Sequence, residues 1–255
     1  MINFSPCLDI FFNNLPFPER IGKVAGIGYR HFEFWSWWDK DVDEIIEAAE
    51  KNKVKCAAFC TKFISLVDAG KRNEYLDGLG ETIEVAEKLG ASVIISQVGN
   101  EIMSINRDIQ LVSMMDGLRK AAKMLQDTDL VLAIEPLNIL YDHPGYFLSK
   151  SSEAYFVIRS IDDRHIKMLF DIYHQQITEG NLINNIRDYF SDIAHFHAAD
   201  HPGRHEIGIG EINYPNIFKT LVDLDYTGCV GIELWPLNKD HTAVLKSVMQ
   251  NFGNY

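Results

Sequence analysis

The chain has 255 residues, 47% hydrophobic and 24% charged, a balance that permits a sizeable buried core and excludes the disordered and collagen-like classes. Its formal net charge is −12, from 24 basic and 36 acidic side chains, which opposes a phosphate backbone and argues against nucleic acid as a partner. The first residues lack the basic and apolar regions of a signal peptide, and no segment approaches roughly 18 uninterrupted apolar residues, so a cytoplasmic protein without membrane association is expected.

Short runs rich in β-branched and aromatic residues alternate with longer amphipathic stretches along the whole chain. A strand near 3–7 is followed by a helix near 19–25, a strand at 31–34 by a helix at 42–52, and a strand at 55–59 by a helix at 73–89. The series continues with 92–96 and 109–126, 131–134 and 151–160, 167–170 and 182–190, 194–196 and 215–224, and 230–232 and 242–251. Strand and helix periods in strict alternation are the mark of βα units around a parallel sheet. Gly28, Gly90 and Gly228 stand where a helix gives way to a strand, and each is read as a helix stop. Eight units, no linker, and a length near the roughly 250 residues of an α/β barrel predict one (β/α)8 TIM barrel domain over residues 1–255. An open doubly wound sheet is the alternative. The four cysteines, Cys7, Cys56, Cys60 and Cys229, lie in apolar runs, as reduced core thiols do. Cys56 and Cys60 have the look of half a zinc site, but no second pair completes it.

Four of the predicted strands end in a metal-capable side chain: Val-Leu-Ala-Ile-Glu135, Met-Leu-Phe-Asp171, Ala-His-Phe-His197 and Val-Gly-Ile-Glu233. In a barrel these are the C-terminal ends of strands five to eight, which converge on the mouth where such enzymes act. Any one of them alone reads more readily as an ordinary strand-end polar group. Together they bring three carboxylates to one place, which is tolerable only if some are protonated or a cation neutralises them. One divalent ion is therefore expected on Glu135, Asp171, His197 and Glu233, and oxygens with one imidazole suit Mn2+, Mg2+, Co2+ or Zn2+.

The segments Ile-Glu135-Pro136-Leu137-Asn138, Asp142-His143-Pro144-Gly145-Tyr146-Phe147-Leu148, Phe-Asp171-Ile-Tyr-His174-Gln, Asp200-His201-Pro202-Gly203-Arg204-His205-Glu206 and Gly210-Glu211-Ile-Asn213-Tyr214 resemble the xylose-isomerase-like barrel superfamily. The resemblance is greatest to its hydroxypyruvate isomerase and ketose 3-epimerase branch. It is firm from strand five to strand eight and elsewhere rests on the barrel pattern. It implies that Glu135, Asp171, His197 and Glu233 bind the metal, that Glu135 and Glu233 are the acid/base partners, and that His174 and Arg204 contact substrate oxygens. The plainer alternatives are a loop histidine bonded to backbone and a surface salt bridge. Hydroxypyruvate isomerases tend to carry Gln at the position of His197, and a basic residue after that of Glu233, where this chain has Leu234-Trp235-Pro236. Both departures point away from hydroxypyruvate itself.

The chemistry is intelligible from the residues alone. A metal chelated by a carbonyl and an adjacent hydroxyl stabilises the enediolate left when the neighbouring carbon loses its proton. With a carboxylate on each face, return of the proton to the neighbouring carbon isomerises, and return to the same carbon from the other face epimerises. The expected enzyme is thus a metal-dependent isomerase or epimerase of a small keto-sugar or hydroxy-keto acid. A metal-dependent hydrolase, lyase or abasic-site nuclease on the same barrel is the rival, and a purely sugar-binding barrel is the non-enzymatic reading. Glu33 is expected to support the site or to hydrogen-bond structurally rather than to bind metal. Trp35, Trp37 and Trp38 are expected to wall a sugar pocket, join the core or form a subunit contact, leaving a homo-oligomer open. The glycines of Gly208-Ile-Gly210 do not make a dinucleotide fingerprint, since no helix follows a first βα turn there.

Overall fold

Strand runs such as Val93–Ser96 and Val131–Ile134 bury nearly every residue, as a parallel sheet covered on both faces requires. The computed structural model describes residues 2–255. Its strands are β1 (Asn3–Pro6), β2 (His31–Phe34), β3 (Lys55–Cys60), β4 (Val93–Ser96), β5 (Val131–Ile134), β6 (Ile166–Asp171), β7 (Ile193–Ala198) and β8 (Cys229–Ile232). The helices are α1 (Phe17–Ile27), α2 (Val42–Asn52), α3 (Arg72–Leu89), α4 (Arg107–Leu125), α5 (Ser151–Ile161), α6 (Ile172–Thr178), α7 (Leu182–Tyr189), α8 (Tyr214–Asp223) and α9 (His241–Phe252). All strands are parallel in the order β1-β8-β7-β6-β5-β4-β3-β2. The ring is brought round by a parallel bridge between Cys7 and Glu33, with the amide of Leu8 donating to the Glu33 carbonyl at 2.8 Å. The result is the (β/α)8 barrel expected from the alternation.

Alternation along each strand sorts side chains into two layers. Phe4, Phe32, Phe34, Phe170 and Phe196 point outward into the layer between barrel and helices, where Phe34 stacks on Phe59 at 5.2 Å. Inside the barrel, β3 to β6 contribute a separate apolar cluster of Ala58, Cys60, Val93, Ile95, Ala133 and Leu169. On the opposite side the interior is polar: Ser5, Glu33, His195 and His197 are buried together, and His195 on β7 reaches Glu33 on β2 across two intervening strands.

Several helix starts carry side-chain caps. Asp41 accepts from the amides of Asp43 and Glu44, Asn106 from Asp108, Asn213 from Asn216 and Asp240 from Ala243. Gly28 and Gly90 end α1 and α3 with positive φ. Gly228 does not stop α8: that helix ends at Asp223, and the left-handed residue after it is Asp225. Gly228 is small for another reason, since a Cβ there would meet the ring of Tyr226. A further difference is α6, a two-turn helix directly after β6 with no counterpart in the predicted elements. All four cysteines are free, and among the described residues none joins a group of three or more potential metal ligands. No helix of the described residues is long and apolar enough to cross a membrane.

Candidate active site

Sheet register brings the four predicted strand-end residues to one level. Asp171, the last residue of β6, pairs with His197 of β7, which pairs in turn with Gly231 of β8. Glu233 follows β8 by one position, and Glu135 follows β5 directly. All four are buried, and one ligand atom from each lies within 4.8 Å of the others. His197 Nδ1 is at the centre, 3.2 Å from Glu233 Oε2, 3.4 Å from Glu135 Oε1 and 3.9 Å from Asp171 Oδ2. Neither His197 Nδ1 nor Glu135 Oε1 has a hydrogen-bond partner among the described residues. Buried polar atoms without partners are costly, and these converge on one point. Three carboxylate oxygens and a ring nitrogen turned inward fit a hard or borderline divalent cation.

Other side chains fix the cluster from outside. Glu233 receives the Trp35 indole N–H on Oε1 and the Arg204 guanidinium on Oε2. Arg204 also donates from Nε to the Glu233 carbonyl at 3.2 Å and sits 3.7 Å from Asp171 Oδ2. It holds a left-handed backbone, φ 59°, after Gly203 at φ 94°, a conformation that costs a non-glycine residue roughly 1–2 kcal/mol. Gln97, just past β4, donates to Glu135 Oε2 at 3.3 Å. Asp171 caps α6, its Oδ1 accepting from the His174 amide at 3.1 Å. That cap swings His174 beneath the cleft. Asn138 donates from its side chain to His174 Nδ1 at 2.6 Å, and His174 Nε2 is buried without a partner 3.5 Å from Asp171 Oδ2. Asp142 accepts from Asn138 at 2.7 Å and from the Tyr173 hydroxyl at 2.9 Å, tying this group together.

The electrostatics are polarised. Burial holds the carboxyls of Glu135 and Asp171 above the usual range, against the pull of His197 and Arg204. Glu233 is equally buried, yet Arg204 and His197 outweigh that burial and hold it well below. Burial disfavours a charged His197, but Glu233 and Glu33 prevail and raise it well above an ordinary histidine. His174 is pushed far down by burial and by Arg204. It is therefore neutral near pH 7, and with Nδ1 accepting from Asn138 its proton is on Nε2, available as a donor.

These residues floor a cleft of about 680 Å³ whose walls include Trp35, Phe63, Ile64, Leu137 and Trp235. Trp35 and Trp235 meet edge to face at 6.0 Å. Only the first residue of the Trp-Ser-Trp-Trp run lines it. Trp37 donates to Thr82 Oγ1 at 3.2 Å, and Trp38 packs edge-on against Phe63. His174 and Arg204 both reach the cleft. Glu33 stays outside the four-residue cluster and contacts His195, His197 and Ser5. The glycines at 208 and 210 belong to a loop pinned by the Asp200 carboxylate, which accepts from the amides of Gly208, Gly210 and Ile212. Sequence reasoning gave no role to Gln97, Asn138, Asp142, Tyr173 or His195, although Asn138 and Asp142 stand in the segments that carry the resemblance. Gln97 had the same strand-end signal as the four, and His195 is two positions before His197, hence on the same face of β7.

A family described as xylose isomerase-like TIM barrel matches residues 21–250, and the chain belongs to that family. Hydroxypyruvate isomerase of Escherichia coli K12 is 33% identical over 245 residues, covering 92% of this chain and 94% of that protein. The 2-oxo-tetronate isomerase of Cupriavidus necator is 26% identical over 245 residues, with the same coverage of 92% and 94%. Among solved structures, AP endonuclease, family 2, from Brucella melitensis superposes with a TM-score of 0.94 at 26% identity, covering 98% of this chain and 99% of that one. With full-length relatives of this kind, the chain is an isomerase.

Proposed function

We propose that the protein is a divalent-metal-dependent sugar isomerase or epimerase acting on a small keto-sugar or hydroxy-keto acid. The observation that carries this reading is the convergence of Glu135, Asp171 and Glu233 on an unpartnered His197 Nδ1 at the floor of a cleft large enough for such a substrate. Glu135, Asp171, His197 and Glu233 would hold the ion. Its chemistry, when bound, is Lewis-acid polarisation of neighbouring carbonyl and hydroxyl oxygens, which lowers the cost of removing a proton from the carbon beside them.

The side chains supply the rest. Glu135 and Glu233 come from β5 and β8, and each brings a carboxylate oxygen within 3.4 Å of His197 Nδ1, so a planar enediolate held between them would have a carboxylate on each face. Glu135 is the less engaged of the two, with only Gln97 donating to its Oε2, and is the carboxylate placed to take a carbon-bound proton, whereas Trp35 and Arg204 occupy both oxygens of Glu233 and fix its orientation. His174 offers its Nε2–H to a substrate oxygen, and Arg204 stands at the same wall. The aromatic pair of Trp35 and Trp235 suits the carbon face of a sugar and excludes water from the exposed carbanion.

The decisive screen sets the purified protein against ketoses and hydroxy-keto acids with Mn2+ or Mg2+. Conversion that disappears on chelation and returns with metal supports the proposal; conversion that survives rigorous chelation ends it. The endonuclease rival, to which the name of the Brucella structure also points, needs a phosphate-binding surface that a net charge of −12 opposes. Cleavage of abasic DNA with added Zn2+ would favour it instead.

A further inference from the structure

We propose that Glu33 is a positioning residue that clamps His197 with Nδ1 turned toward the metal site, an inference resting on the metal reading of that site. Glu33 lies on the barrel floor, 2% exposed. Its Oε2 accepts from the Ser5 hydroxyl at 2.7 Å and from His195 Nε2 at 3.0 Å. Its Oε1 lies 3.2 Å from His197 Nε2, an ion-pair contact outside hydrogen-bond geometry, and that buried nitrogen has no hydrogen bond to any described group, so Glu33 is the carboxylate set to receive its proton. A carboxylate facing Nε2 keeps the proton on that nitrogen, so Nδ1 presents its lone pair to Glu135, Asp171 and Glu233. Histidine ligands are generally oriented this way by an outer carboxylate, which also makes the ring a better donor.

Several local features serve this one contact. The β2–β3 register slips between Phe32 and Glu33, and the β6–β7 register slips at Met168/Leu169, so that Leu169 pairs with His195. Such irregularities re-aim side chains beside active sites. Gly231 pairs with His197 on β8, and a Cβ there would fall on the Glu33 carboxylate and against the His197 ring. Ser5, from β1, holds the far side of the carboxylate. A charge buried solely to fill the barrel would be a costly choice, whereas a charge facing a metal-bound imidazole has work there.

The experiment is a Mn2+ titration of the full chain, following free Mn2+ by electron paramagnetic resonance, for the wild type and Glu33→Gln. Gln keeps the shape and removes the charge. The variant is expected to bind Mn2+ about 10- to 100-fold more weakly, with circular dichroism showing the fold intact. Unchanged affinity in a folded variant overturns the proposal, since a merely structural role would lower the melting temperature and leave affinity alone. Two Mn2+ per wild-type chain would also overturn it, by placing an ion on Glu33 and His195 themselves. If Glu33→Gln does not fold, the wild type decides. Loaded with Zn2+, it should show His197 protonated on Nε2 and metal-bound through Nδ1 in long-range proton–nitrogen spectra, and the opposite assignment overturns the clamp. Wild-type protein that binds no divalent ion fails the metal reading itself, a result distinct from failure of the clamp.

Discussion

His197 is where the demands on single residues meet. Its Nδ1 has three carboxylate neighbours, and its Nε2 faces Glu33. Arg204, by contrast, acts on the carboxylates, gripping Glu233 and approaching Asp171. If the one is a ligand and the other a substrate contact, His197→Ala should weaken Mn2+ binding by more than the about 10- to 100-fold typical of losing an outer partner. Arg204→Ala should weaken it less. Calorimetric titration ranking the two the other way would reverse their roles. The four strand-end residues were legible because a barrel sends the C-terminal ends of its strands to one mouth. The reach of Glu33 to His195 and His197 was not, because it crosses the barrel between strands that are not neighbours, and linear spacing carries no such distance.

At the scale of elements, eight strand runs and the helices joining them were legible because their periods differ and each is long enough to count. The helix α6 was not. Seven residues give too few turns for a period, and its capping residue Asp171 already read as a strand end. Gly228 was misread for a related reason: glycine before a strand looks like a helix stop, but the turn is made by Asp225 and the constraint at 228 is the Tyr226 ring. Gly90 is the clean case, with φ 64° and nothing within 4 Å of a Cβ built there. Gly90→Ala should therefore destabilise through the backbone alone, by about 1 kcal/mol once the gain in unfolded-state rigidity is offset. Urea unfolding should show a lower midpoint at an unchanged slope. A midpoint equal to or above wild type would mean that the left-handed turn is not what ends α3.

For the whole molecule, the proposed metal site at the mouth of the barrel would couple folding, protons and metal. Glu135, Asp171 and His197 all have folded-state pKa values above their ordinary ones. They favour the metal-free fold when protonated, and that contribution is lost as the pH rises through the raised values. Glu33 and Glu233 are depressed, so their contribution is present above the ordinary carboxylate range and is lost only in stronger acid. Bound metal competes with the protons of the first group. Thermal stabilisation by Mn2+ should thus grow as the pH rises through these raised values, reaching roughly 5 to 10 °C at a hundredfold excess over Kd; a shift that is flat or shrinks with pH contradicts the coupling. The central claim, proton transfer at carbon between Glu135 and Glu233, is tested most directly by following deuterium uptake from D2O into an active substrate by proton NMR. Wild type, Glu135→Gln and Glu233→Gln are to be compared with metal occupancy measured in each. The account predicts deuterium at the carbon beside the carbonyl in the wild type, and uptake suppressed in at least one variant that retains its metal. Undiminished uptake in both metal-loaded variants would contradict it.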